Sequence, residues 1–147
     1  MKRYFFSIFT LSFLATFNAL YLSYKAYYVR FVDPLGLSSF CDVSSVFSCT
    51  EVLRSPYSIV FGLSFPWIAL AVYPFLATIA VLGMKKASAM YMRTIAYLAT
   101  GGLLFNAFII YREVMFIHAY CLLCLVCTVV IASIASLSWY ALCRHKK

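Results

Sequence analysis

Charge is what this sequence has least of. Only 11% of its 147 residues are charged and only four are acidic, whereas a soluble domain carries about a quarter. Apolar residues make up 65% of the chain and aromatics 19%, which excludes an ordinary soluble domain. The remaining net charge is +8, but the basic residues form no single patch. Lys2 and Arg3 precede the first apolar run, Lys85, Lys86 and Arg93 lie in the middle, and Arg144, Lys146 and Lys147 close the chain. That scatter is the pattern of membrane-flanking loops and argues against nucleic-acid binding. No internal repeat or low-complexity tract is visible, and the length suits one domain. The first apolar run ends in "YLSYKAYYVR", which lacks an A-x-A cleavage pattern. It reads as an uncleaved helix rather than a signal peptide.

Four stretches carry no charge at all: 4–24, 55–84, 94–111 and 114–143. A spanning helix needs about 20 mostly apolar residues. The expected fold is therefore an all-α membrane protein, a single domain over 1–147. Its four-helix bundle has spans near 4–27, 58–82, 91–111 and 119–142. With the N-terminus in the cytoplasm, eight Lys and Arg fall on that side and four (Lys25, Arg30, Arg54, Arg112) on the other. The bias predicts both termini in the cytoplasm. The loop 28–57 and the start of the fourth helix then face outward. Tyr21, Tyr24, Tyr27, Tyr28 and Phe31 cluster at the outer end of helix 1, as an interfacial belt does. Within the loop, "SVFSCTEVL" suits a short helix between the turn at Asp33-Pro34 and the turn at Ser55-Pro56.

Chemistry concentrates in the six cysteines, Cys41, Cys49, Cys121, Cys124, Cys127 and Cys143. Cys143 is 22 residues beyond Cys121, about 33 Å along a helix, and is read as packing at the far face. The stretch "HAYCLLCLVC" offers two overlapping pairs at i, i+3, a spacing of about 5–6 Å that a disulfide can bridge. Cys121 and Cys124 lie in the first turn of their helix, where unpaired N–H groups favour a thiolate. Cys127 lies a turn deeper, further from water and from the helix terminus, so Cys121–Cys124 is the preferred redox pair. Cys41 and Cys49 form C-x₇-C in the outer loop. Spacing alone leaves open a fixed structural disulfide there. Zinc is disfavoured because C-x₇-C is not a zinc knuckle. Two thiol pairs on one side of a membrane suggest an electron relay by thiol–disulfide exchange, ending on a lipid-soluble two-electron acceptor such as a quinone.

"CDVSSVFSC", then "VLRSPYSIVFG", then "CLLC" on the last helix together resemble the vitamin K epoxide reductase (VKOR) family, most of all its bacterial members. The likeness covers nearly the whole chain. It implies a four-helix bundle around a quinone, ubiquinone or menaquinone. It implies that Cys124 contacts the quinone and that Cys121 exchanges with Cys49. Cys41 then meets the external partner. Ser58, before "IVFG", falls where family members often carry a polar residue such as Asn near the quinone. Asp42 matches the motif, as a proton relay or a loop holder. Thr128 stands where animal members have a quinone-contacting Tyr, which argues against vitamin K epoxide as substrate. Pro66 in "FGLSFPW" comes later than the usual "FGIP" and puts the path of helix 2 in question. Arg112, Glu113 and His118 are the other polar residues near the site; His118 is read as an interfacial cap before a thiolate partner.

The resulting expectation is a bacterial inner-membrane thiol oxidase with a periplasmic active site and no fused thioredoxin-like domain. It would reoxidise a separate periplasmic thioredoxin-fold (DsbA-like) protein and reduce quinone, supporting disulfide formation in exported proteins. Three rivals stand beside it. The DsbB family places its CxxC before the loop pair, the reverse of the order here. The others are reduction of vitamin K epoxide and a non-catalytic membrane protein with a structural loop disulfide.

Overall fold

The computed structural model describes residues 2–32, 42–44, 46–86 and 88–145. The charge-free runs become four long helices, each long and apolar enough to cross a membrane. They are α1 (Lys2–Tyr27), α3 (Phe65–Lys86), α4 (Ala89–Arg112) and α5 (Leu122–His145). One short helix, α2 (Cys49–Arg54), occupies the segment expected to hold one. The protein is a four-span helical membrane protein, as its composition predicts.

α1 packs along α3 and α5, and α4 packs along α5 and α3. The buried face of α1 runs through Phe5, Ile8, Ser12, Ala15, Ala19 and Leu22, at helical spacing. Its other face presents Phe6, Phe13, Phe17 and Leu20 outward, which suits a helix surrounded by lipid. Small residues line the contacts, Ala15 and Ala19 on α1 and Ala96 and Ala99 on α4, and they let the backbones approach closely. The tightest case is Gly83 of α3, where an added Cβ would run into the ring of Phe5. Phe5 is fully buried among core side chains, so its ring has nowhere to swing. Gly83→Ala is expected to cost about 1–3 kcal/mol, as overpacking does, read as a lowered thermal unfolding midpoint in detergent.

The second span departs from expectation. It begins at Phe65 rather than near 58. The residues before it form a 3₁₀ turn (Pro56–Ser58) and a hairpin of β1 (Ile59–Val60) and β2 (Leu63–Ser64). Ile59 pairs with Ser64 and Val60 with Leu63, so only Phe61 and Gly62 turn the chain. Two-residue hairpins of this kind need positive φ at both positions. Phe61 takes φ 54° and Gly62 φ 80°. Pro66 then lies in the first turn of α3, where its missing N–H leaves no hydrogen bond unmade. A charge-free run hides this break because the hairpin is as apolar as the helix it precedes.

Two wider turns finish the frame. A π-helical turn, Tyr28–Val32, extends α1, and another, Glu113–Ile117, extends α4. The second ends at His118, whose φ of 55° is left-handed and whose N–H donates to the Glu113 carbonyl at 2.9 Å. His118 is exposed and acts as a cap.

Candidate active site

The segment around Cys49 forms a roof over the start of α5, and it is held at both ends. At its start, Asp42 accepts from the Ser48 hydroxyl at 2.8 Å, the Thr50 N–H at 3.0 Å and the Thr50 hydroxyl at 2.6 Å. Ser48 in turn caps α2 by accepting from the Glu51 N–H at 3.2 Å. Asp42 thus holds the loop. At the far end the Arg30 guanidinium donates to the carbonyls of Leu53 and Ser55, among the last of the chain's helical turn, and to the Ser58 hydroxyl at 2.8 Å. A cation there complements the helix C-terminus.

The roof is keyed to α5 by backbone. Phe47 forms a parallel bridge with Tyr120. The Tyr120 N–H donates to the Val46 carbonyl at 2.7 Å, and the Ser48 N–H donates to the Tyr120 carbonyl at 3.1 Å. The Phe47 and Tyr120 rings lie 5.8 Å apart, centroid to centroid. Both chains leave this bridge into a cysteine one or two residues on. The outcome is a Cys49 Sγ to Cys121 Sγ distance of 3.4 Å, across 72 residues of sequence. Cys49 is disulfide-bonded, whereas Cys121, Cys124, Cys127 and Cys143 are free thiols. Cys41 lies outside the described residues.

Cys121 immediately precedes α5, and its carbonyl accepts from the N–H groups of Cys124 at 3.0 Å and Leu125 at 3.1 Å. Cys124 therefore belongs to the first turn, as the spacing predicts. Its thiol adjoins that of Cys121. Access to water differs from the expectation. Cys121 is 0% exposed and Cys49 and Cys124 1% each, because the roof covers the helix terminus. Cys127, a turn deeper, accepts from the Asn18 carboxamide at 3.0 Å. Cys143 is exposed near the far end of α5.

Beside Cys124 a narrow cleft of about 60 Å³ opens between the helices. Leu22, Phe65, Val72, Phe105, Ile109 and Ile131 give it apolar walls, and Cys124 and Cys127 lie in its lining. Its polar side chains are Tyr73 and Asn106. The Tyr73 hydroxyl donates to the Cys127 carbonyl at 3.4 Å. Asn106 donates to the Thr128 hydroxyl at 2.7 Å, and Thr128 donates to the Cys124 carbonyl at 2.9 Å. Ser58 is not in this lining: it is buried in the turn before β1, donating to the Ser55 carbonyl at 2.8 Å and accepting from Arg30.

Sequence reasoning did not single out Tyr73, Asn18 or Asn106, and it left Glu113 without a role. The signal was available for three of them, since polar side chains within apolar spans gather at functional positions. Both asparagines of the chain reach α5 beside the cysteines. Glu113 is the acidic residue inside a span, 1% exposed, and its Oε2 accepts from the Cys121 N–H at 3.3 Å.

The arrangement brings a disulfide-bonded loop cysteine against a helix thiol pair, beside an apolar cleft. No curated protein matches the chain. The model of the vitamin K epoxide reductase family matches residues 6–139, nearly all of the bundle just described. The chain belongs to the vitamin K epoxide reductase family of quinone-linked membrane oxidoreductases.

Proposed function

We propose that the protein is a thiol:quinone oxidoreductase of a bacterial inner membrane, with both termini cytoplasmic and the cysteine end periplasmic. A thioredoxin-fold (DsbA-like) dithiol reduces the Cys41–Cys49 disulfide and leaves as a disulfide. The Cys49 thiolate then attacks Cys121 of a Cys121–Cys124 disulfide, whose bond breaks with its electron pair on Cys124. Cys41 closes onto Cys49, which releases Cys121 and leaves the helix pair as a dithiol. That dithiol gives two electrons to ubiquinone or menaquinone in the cleft, and the helix disulfide re-forms. The net change is partner dithiol plus quinone to partner disulfide plus quinol.

The observation that carries this reading is the 3.4 Å separation of the Cys49 and Cys121 sulfurs, one in a disulfide and one a free thiol. Exchange proceeds by attack of one sulfur on another, and these two need no rearrangement to meet. A structural loop disulfide has no need of a buried free thiol at van der Waals distance. The cleft supports the acceptor assignment, since Cys124 lies in its wall and Asn106, which gives one N–H to Thr128, has a second to offer a quinone carbonyl. The basic-residue count supports the sidedness.

The test is to mix purified protein with a reduced thioredoxin-fold protein and a quinone and follow quinone absorbance. Catalytic loss of the quinone signal is expected. No turnover sinks the reading, and consumption of a quinone epoxide in place of quinone turns it to epoxide reduction. In Cys124→Ser, Cys121 has no resolving neighbour, so a Cys49–Cys121 disulfide is expected to accumulate and to appear as a cross-linked peptide pair in mass spectrometry.

A further inference from the structure

We propose that the Glu113 carboxylate is the acceptor for the thiol proton of Cys124, taking it as Cys124 becomes a thiolate and returning it when the Cys121–Cys124 disulfide is opened. This rests on the redox reading of the helix pair given above. The carboxyl is 1% exposed at the start of the π-helical turn that follows α4. One oxygen, Oε2, accepts the Cys121 N–H. The other, Oε1, is buried with no hydrogen-bond partner among the described residues. Cys121, which this carboxyl holds, accepts the Cys124 N–H on its own carbonyl at 3.0 Å, so the Cys124 side chain shares the buried start of α5 with Glu113.

Among the described residues no cation neutralises it. Arg112, its neighbour in sequence, turns away to the Ile59 carbonyl at 3.3 Å and over the rings of Tyr57 and Phe108. The one ion pair among the described residues joins Arg54 to Glu51. His118 meets Glu113 through backbone, and it is exposed. A buried carboxyl with no counter-ion is costly, and a merely structural anchor for the Cys121 N–H needs only an amide. What an amide lacks is the ability to take a proton. The neighbouring thiol proton is that of Cys124, whose side chain is buried with the carboxyl.

The step balances as a plain acid–base transfer. The Cys124 S–H bond breaks, its electron pair stays on sulfur, and an O–H bond forms on Glu113. The thiolate so formed is the species that reacts toward the cleft. In the next cycle Cys49 attacks Cys121, the Cys121–Cys124 bond breaks, and the electron pair departs on Cys124. The Glu113 acid then protonates that sulfur and is a carboxylate again. The carboxyl ends each cycle as it began it. The two protons gained by quinone match the two lost by the partner dithiol.

Alkylation of the reduced protein by N-ethylmaleimide tests this with neither quinone nor partner present. Cys124 and Cys127 line the same cleft, so mass-spectrometric mapping reads both rates in one sample. Glu113→Gln keeps an acceptor for the Cys121 N–H. It is expected to slow Cys124 alkylation by about tenfold or more while Cys127 holds its rate, and Glu113→Asp is expected to recover part of the loss. Equal Cys124 rates in folded wild type and Glu113→Gln overturn the proposal, as does a parallel fall at both cysteines, which marks a merely structural effect. Should Glu113→Gln fail to fold, infrared difference spectra of wild type decide. A carboxylic-acid band that changes between the dithiol and disulfide states supports the transfer, and an unchanged band overturns it. A wild type that fails the quinone assay yet shows the Glu113 dependence removes the quinone reading and leaves the proton acceptor standing.

Discussion

Cys124→Ala is expected to abolish quinol formation, lowering turnover by at least about 10³-fold, the scale on which loss of a reacting nucleophile acts. Of the two thiols at the start of α5, Cys124 is the one in the cleft lining. Without it, Cys121 can still attack the disulfide at Cys49, 3.4 Å away, but the chain then stops as a mixed disulfide. The partner's two electrons can only return that disulfide to thiols, and none reaches quinone. The loss is expected to fall on kcat rather than KM for the partner, because the loop proposed to meet the partner is untouched. Thermal unfolding should change little, since the substitution removes one sulfur from a site bordering an open cleft. Anaerobic quinone absorbance with saturating reduced partner measures the effect. Residual turnover above about a tenth of wild type would assign the quinone-side role to another thiol, with Cys127 next in the same wall.

Much of this site could be read from the residues alone, and what could not has a physical cause. Charge-free runs found the four spans because lipid tolerates few charges over that length. They failed at the start of α3, since Ile59–Ser64 pairs as a hairpin while remaining apolar. Spacing and depth ranked Cys121 and Cys124 above Cys127, and the structure places Cys124 in the first turn of α5 and Cys127 a turn below it. Burial of the pair was not legible, because it comes from a roof 72 residues away in sequence. Nor was the cleft lining. Whether Tyr73 and Asn106 face Cys124 or lipid depends on how α3 and α4 are rotated, and an apolar helix with lipid on one side carries almost no periodic signal of its buried face. Glu113 was noticed only as polar. Its meaning required knowing that its Oε1 is buried and unpartnered.

Tyr120→Pro is expected to separate the two thiol pairs. The substitution removes the N–H that donates to the Val46 carbonyl at 2.7 Å, one of the two backbone bonds that key the roof to α5. A single backbone bond contributes about 1 kcal/mol to stability, so the bundle itself should remain folded. The sulfurs are more demanding. Exchange needs them in contact, and a displacement of about 1 Å can slow such a step by about a hundredfold. Fully reduced protein holds two dithiols, so wild type mixed with excess quinone should release two quinols per chain at similar rates. Tyr120→Pro should release the first, from Cys121 and Cys124, at the wild-type rate. The second must travel from the loop pair through Cys49 and Cys121, and it should lag by about a hundredfold. Tyr120→Ala separates the causes: it keeps the N–H and loses the ring that meets Phe47 at 5.8 Å, and its lag should be smaller. Two quinols released together in Tyr120→Pro would mean that the backbone bridge does not set the sulfur–sulfur distance. A slow first quinol would mean instead that the bridge shapes the cleft-side pair as well.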